Sequence, residues 1–232
     1  MPNLKEYKPD YIMLVPLFVE NFYKRIWKSA EDNGKADALR KLIRISNNMR
    51  KVGIDNRRVY FKAIHDQFGG NLRKIVVGGA PIRSELAEFF DAVGIDLVNG
   101  YGITECSPLV AANRDKYNKY SSVGVLLPCV DCKIDEPNAE GEGEICVRGD
   151  IVMMGYYKNP EATDAVFDAD GYFHTGDYGR MDGDGRLYIT GRKKNLIVLR
   201  NGKNVYPEEI EEYVKSIPYI AEVVVFANLN DD

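Results

Sequence analysis

Apolar positions keep one rhythm along the chain up to about residue 120 and another beyond it. In the first part, short apolar runs alternate with stretches of helical spacing. Residues 11–15 (YIMLV) have the length of a buried strand, and Pro16 suits the first turn of a helix. In that helix Phe18, Phe22 and Ile26 recur as a core-facing stripe would. A second helix over 36–49 places Leu39, Leu42, Ile43, Ser46 and Met49 on one face, and a third over 57–68 is closed by Gly69-Gly70. A strand over 73–77 ends in Gly78-Gly79-Ala80-Pro81. The next helix turns Leu86, Phe89, Phe90 and Val93 inward and leads to a strand over 95–98. Strands alternating with helices imply right-handed crossovers and a parallel sheet.

Past Tyr120 the long helical patterns give way to short alternating strands, expected over 130–135, 143–148, 172–175 and 186–190, with a hairpin turn at 181–185. After Gly191 the pattern predicts a strand over 196–199, a turn at Asn201-Gly202 and a helix opened by Pro207. Glu208, Glu209, Glu211 and Glu212 complement the dipole of that helix, and a last strand is expected over 223–226. The expected fold is α/β: a partial parallel sheet with helices (1–118), a β-rich, distorted-barrel subdomain (119–191), and the start of a small α+β C-terminal domain (192–232).

Composition narrows the class. A chain of 232 residues that is 45% hydrophobic buries a substantial core. Its net charge of −4 argues against a nucleic-acid partner. No apolar run approaches the ~20 residues of a membrane span, and the polar N-terminus lacks the apolar core of a signal peptide. Four cysteines make no disulfide framework, so a cytoplasmic protein is expected. Cys129 and Cys132 form a C-x-x-C, but alternation puts Cys132 on a buried strand face, and no second pair or nearby histidine completes a zinc set. The D-x-D-G of 182–185 starts like a calcium loop, yet Lys193 stands where the closing glutamate belongs. One local excess stands out. Lys35, Arg40, Lys41, Arg44, Arg50, Lys51, Arg57, Arg58 and Lys62 face only Asp37 and Asp55, a solvated face or a peripheral contact with an anionic membrane.

The candidate chemistry centres on NGYGITE, residues 99–105. Gly100 and Gly102 let the backbone turn and approach a ligand without a Cβ in the way. Asn99 can read a base edge, Tyr101 can stack on its face, Thr104 can bond a phosphate oxygen, and Glu105 can hold Mg²⁺. Those are the requirements of an ATP site. In a parallel sheet, ligands bind beyond the carboxyl ends of the strands, where this turn and the Gly78–Pro81 turn both lie. Neither matches a dinucleotide or P-loop fingerprint.

NGYGITE, GEGEICVRGDIVMMGYYKNPEAT (141–163), DGYFHTGDYGRMDGDGRLYITGRKKNLIVLRNGKNVYPEEIE (170–211) and the Gly78–Pro81 turn resemble the adenylate-forming superfamily, in its order and across most of the chain. YGITECSP, NGKNVYPEEIE and VPLFVENFYKRIW are most similar to its long-chain fatty acyl-CoA synthetase branch. The resemblance implies the roles. Gly79, Ala80 and Pro81 form one wall of an adenine slot and Tyr101 the other, with Asn99 at the amino edge and Gly100 and Gly102 shaping the turn. Thr104 meets the α-phosphate and Glu105 the Mg²⁺. Asp177 accepts the ribose hydroxyls, and Arg192 holds ribose and phosphate. Lys194 falls at the interdomain hinge, and Gly202 on the loop that faces the thiol acceptor. His174 is expected to be a packed strand residue rather than a base.

The implied substrates are a fatty acid, ATP and coenzyme A, with acyl-AMP formed first and the thioester second. Two departures accompany this. The family's lysine-bearing phosphate loop and its C-terminal catalytic lysine have no counterpart here, so the chain is expected to be a middle-to-late fragment, inactive alone. Residues 1–118 should then leave an apolar sheet face or edge open, which self-association could cover. The alternatives are adenylation of another acid with a carrier-protein or other acceptor, and a non-catalytic nucleotide-binding relative.

Overall fold

The computed structural model describes residues 2–79, 82–114, 118–199, 204–215, 217, 219–220 and 222–227. It divides into two compact units, 1–101 with 113–121 and 102–112 with 122–232.

The first unit carries helices α1 (Pro2–Tyr7), α2 (Pro16–Asp32), α3 (Ala36–Lys51), α4 (Arg57–Tyr60), α5 (Lys62–Gln67) and α6 (Ser84–Ala92). Its strands β1 (Tyr11–Leu14), β2 (Lys74–Val77) and β3 (Asp96–Gly102) pair in parallel, β2 in the middle, with Leu14 opposite Val77 and Val77 opposite Asn99. The expected parallel α/β layer is therefore present. Leu86, Phe90 and Val93 from the α6 region pack with Ile75, Val77 and Leu97 of the sheet. Phe90 lies edge-on to Phe89, with ring centroids 5.5 Å apart, an arrangement the ring quadrupole favours.

Three details differ from the sequence pattern. The stripe of α2 is Val19 and Ile26 with Phe22 partly buried, while Phe18 is 52% exposed. Pro16 in the same turn is buried, so the covered face runs through Pro16, Val19 and Ile26, and Phe18 is turned away from it. The helix expected over 57–68 is two pieces that break at Phe61, a fully packed side chain. β1 was expected to be buried but is half open, with Tyr11 63% and Met13 83% exposed. This is the open apolar face anticipated for residues 1–118.

The second unit is antiparallel: β4 (Leu109–Ala112), β5 (Gly124–Leu126), β6 (Asp131–Asp135), β7 (Gly143–Arg148), β8 (Phe173–Met181) and β9 (Arg186–Arg192). They pair in the order β4-β5-β9-β8-β7-β6. The distorted barrel is thus open among the described residues, because β6 and β4 are not paired with each other. The outer strand β6 carries Asp131, Lys133 and Asp135, charges that oppose further pairing. Helix α7 (Pro160–Asp164) is capped by Asn159, whose side chain accepts from the Ala162 N–H. β10 (Ile197–Val198), β11 (Asn204–Val205) and α8 (Pro207–Lys215) complete the unit. The strand expected over 223–226 is not one: that segment is irregular, and Val224 and Phe226 are 76% and 78% exposed. No described strand pairs with it, and the Val225 N–H donates instead to Glu211 on α8.

Candidate nucleotide site

In the first unit, the parallel register puts Gly78 and Gly79 at the same sheet edge as Asn99, Gly100 and Tyr101. Gly79 has φ +86°, a conformation that favours glycine. Tyr101 is buried, with 8% exposed. Asn99 is held by a partner that the sequence did not suggest. The Asn113 N–H donates to the Asn99 carbonyl (2.9 Å), and the Asn113 side-chain amide donates to Asn99 Oδ1 (2.5 Å). Asn113 in turn accepts from the Lys119 N–H. A base edge would therefore meet an amide whose orientation is set from behind. Ala80 and Pro81, like Gly202, lie outside the described residues.

In the second unit, the chain leaves β3 at Gly102, where a Cβ would run into the Pro108 carbonyl. Only glycine fits that turn. Thr104 and Glu105 follow on a single 3₁₀ turn, Thr104–Cys106. Thr104 is exposed. The Tyr156 hydroxyl donates to Glu105 Oε1 (3.1 Å), and the Glu105 carbonyl accepts from the Met153 N–H (2.7 Å). Burial first, and this hydrogen bond second, raise the Tyr156 phenol above its usual range. Glu105 thus stands anchored at both its backbone and its carboxylate. A single carboxylate fits Mg²⁺, which takes oxygen ligands and completes its shell with water and phosphate. Cys106 beside it is buried, and desolvation pushes its thiol up to about 11, away from the thiolate form.

Asp177 owes its position to a bulge. Cys146 pairs with His174 and Glu144 with Tyr178, so residues 175–177 of β8 stand opposite Ile145 alone. Within the bulge Gly176 has φ +71°. Thr175 Oγ1 donates to the Ile145 carbonyl (2.8 Å) and accepts from the Asp177 N–H (3.1 Å). On the other side Asp177 pairs with Arg192 of β9, with Nε 3.2 Å from Oδ1. The carboxylate is 7% exposed and the arginine 57%. The sequence assigned these two to one ribose, and the sheet sets them side by side. Lys194 follows on the exposed 3₁₀ turn Lys193–Asn195.

Glu144 and Lys193 were not singled out by the sequence. Glu144 is 4% exposed, and its carboxylate accepts from Lys193 Nζ (2.6 Å), from the Gly176 N–H (3.1 Å) and lies 3.0 Å from His174 Nδ1. Burial opposes its charge, but the hydrogen bonds from Lys193 and His174 outweigh it and hold the carboxyl below the usual range. The same contact raises the Lys193 ammonium. His174 is accordingly a partly buried strand residue in an ion-pair network. Apart from the C-x-x-C of Cys129 and Cys132, β6, β7 and β8 bring Asp135, Cys146 and His174 together. Lys133 Nζ supplies a cation there already, 3.8 Å from Asp135 and 2.6 Å from Asp168, so the group is satisfied without a metal.

The family described as AMP-binding enzyme matches residues 1–157. A long-chain-fatty-acid–CoA ligase, FadD15 of Mycobacterium bovis, is 35% identical over 97% of the chain and 39% of its own length. Long-chain-fatty-acid–CoA ligase 5 of Mus musculus is 33% identical over 94% of the chain and 34% of its own length. Among solved structures, o-succinylbenzoate CoA synthetase of Bacillus subtilis with its acyl-adenylate intermediate superposes with a TM-score of 0.65 at 29% identity, over 75% of this chain and 37% of that one. ATP-bound MatB of Rhodopseudomonas palustris gives 0.59 at 30% identity, over 71% and 35%. The chain spans well under half the length of each of these relatives.

Proposed function

The chain belongs to the AMP-binding enzyme family, and from that premise we propose that it carries nucleotide-binding machinery of a long-chain fatty acid–CoA ligase. The observation behind the choice of substrate is its identity of 33–35% with ligases of that name over 94–97% of its length. In the first step a carboxylate oxygen attacks the α-phosphorus of ATP, and the bond to pyrophosphate breaks. In the second the coenzyme A thiol, giving up its proton, attacks the acyl carbon, and the bond to AMP breaks. Asn99 and Tyr101, with Gly79, Ala80 and Pro81, read adenine. Asp177 accepts the ribose hydroxyls beside Arg192. Thr104 donates to the α-phosphate. Glu105 holds Mg²⁺, which neutralises phosphate charge when bound. Lys194 serves as hinge for residues 192–232, and Gly202 meets the thiol. Such a site works by positioning and charge neutralisation and needs no nucleophile of its own.

Pyrophosphate exchange by the full-length protein, tested across acids, decides the substrate. Exchange should depend on long-chain fatty acids, and AMP should leave as coenzyme A thioester forms. Exchange driven instead by an amino acid, or acyl transfer only to a carrier-protein thiol, would favour the sister reading. No exchange with any acid would favour a non-catalytic relative.

Peripheral membrane contact is a second element of the proposal. Arg40, Arg50, Arg57 and Lys62 pair with carboxylates of their own unit, and Arg58 donates to the carbonyls of Gly70 and Leu72. Lys35, Lys41, Arg44 and Lys51 are the cations left to meet an anionic surface, at about 1 kcal/mol each. Sedimentation with anionic vesicles should weaken with salt and in a Lys41→Gln/Arg44→Gln variant; binding indifferent to lipid charge would reject the contact. Self-association through the open β1 face would show as a concentration-dependent mass in sedimentation, and a strictly monomeric chain would reject it.

A further inference from the structure

We infer that Glu144 is a positioning residue for the ribose contacts: it holds the bulge that aims Asp177 and the strand end that carries Arg192. The inference rests on the ribose role proposed for those two. Its geometry stands independently of that role. Gly176 directly precedes Asp177, and Lys193 directly follows Arg192. Both are tied to one carboxylate, the Gly176 N–H on Oε1 (3.1 Å) and Lys193 Nζ on Oε2 (2.6 Å). Glu144 thus reaches both halves of the Asp177–Arg192 pair through the neighbouring residue of each, touching neither.

The physical reason for a charged group here is the conformation it must hold. Three residues of β8 face one residue of β7, so the regular ladder is broken and the Gly176 N–H has no cross-strand carbonyl in register. A buried N–H without an acceptor is costly, and an ionised acceptor gives a stronger bond than a carbonyl. A buried carboxylate in turn requires partners, since an uncompensated buried charge is strongly destabilising. Lys193 and His174 meet that requirement, and meeting it fixes Lys193 against β7. The same ion pair that keeps Glu144 charged therefore anchors the chain just past Arg192. Two strands that could each shift at an irregular point are locked to one reference atom group. His174 completes the anchor on the strand that enters the bulge, from 3.0 Å.

Ligands with and without the ribose hydroxyls separate this role from a structural one. AMP and 2′,3′-dideoxy-AMP are titrated calorimetrically into the wild-type full-length protein, Glu144→Gln, Asp177→Asn and the double variant, with thermal unfolding of each. Glu144→Gln keeps the shape and one acceptor but loses the charge. It should lower AMP affinity about tenfold, the equivalent of one net hydrogen bond, and leave dideoxy-AMP within about twofold. In the Asp177→Asn background it should change AMP affinity by less than about twofold, because both changes act on one contact. Lys193→Met, at an exposed side chain that can be removed without opening the core, should reproduce the selective loss in smaller measure. Equal losses for the two nucleotides, full additivity in the double variant, or no change in Glu144→Gln would each overturn the inference. A wild-type protein that binds AMP no better than dideoxy-AMP would instead contradict the ribose role of Asp177, and the inference would fall with it.

Discussion

Asp177→Ala should weaken AMP binding by about 1.5–3 kcal/mol, roughly ten- to 150-fold, the range for hydrogen bonds to a charged acceptor. The expectation follows from burial and placement. The carboxylate is 7% exposed, stands on a bulge that only this register creates, and faces the Arg192 fork at 3.2 Å. A carboxylate accepts two hydroxyls with well-aligned bonds, whereas alanine leaves them facing an apolar surface. Calorimetry on both proteins reads the change. The variant should keep its fold, because the bulge is held by Thr175 and Glu144 through backbone groups that the substitution leaves in place. Equal affinity in the two proteins would remove Asp177 from the site.

Phe90→Ala should cost about 3–5 kcal/mol of stability, the usual penalty for emptying a buried aromatic position. Phe90 has no exposed surface and packs edge-on against Phe68 (6.5 Å between centroids) as well as Phe89. It joins α6 to Phe68, just past the end of α5, in one core with Ile75, Val77 and Leu97 of the strands. The single tryptophan reports on this core, since Trp27 lies 5.7 Å from Phe89. Urea unfolding followed by Trp27 fluorescence should show the lowered midpoint. A loss under about 1 kcal/mol would mean that the α6 core does not hold the layer together.

What the residues revealed in advance divides along a physical line. The parallel layer was legible because helices such as α6, with Leu86, Phe89 and Phe90 on one face and Gly94 just past its end, pair a 3.6-residue apolar stripe with a glycine stop. Its details were less so. Apolar spacing fixes a stripe only to within about one residue of rotation, and the buried stripe of α2 is Pro16, Val19 and Ile26 rather than one through Phe18. β3 was expected to end at Val98 yet runs to Gly102; pairing with Val77 of β2 overrides the weak strand preference of Asn99. Similarly β8 extends through Gly176 and Gly179, which break the apolar alternation that sequence reading depends on.

The candidate site was legible where its residues are consecutive, as in NGYGITE and HTGDYGR. Residues brought in by cross-strand register left no local trace. Glu144 lies 32 residues from the Gly176 N–H that it accepts from and 49 from Lys193. Tyr156 lies 51 residues from Glu105. A charge in the middle of the β7 pattern was the one available signal: Glu144 alternates with apolar Ile145, as a solvent-facing residue would. β7 is instead buried on both faces from Gly143 to Val147, and His174 and Lys193 lie against Glu144.

A crystal structure of the full-length protein with AMP bound tests the central claim most directly. The account predicts both ribose hydroxyls within about 2.6–3.2 Å of the Asp177 carboxylate, with the Arg192 guanidinium on the ribose or phosphate. AMP bound elsewhere, or with its ribose turned away from Asp177, would contradict it.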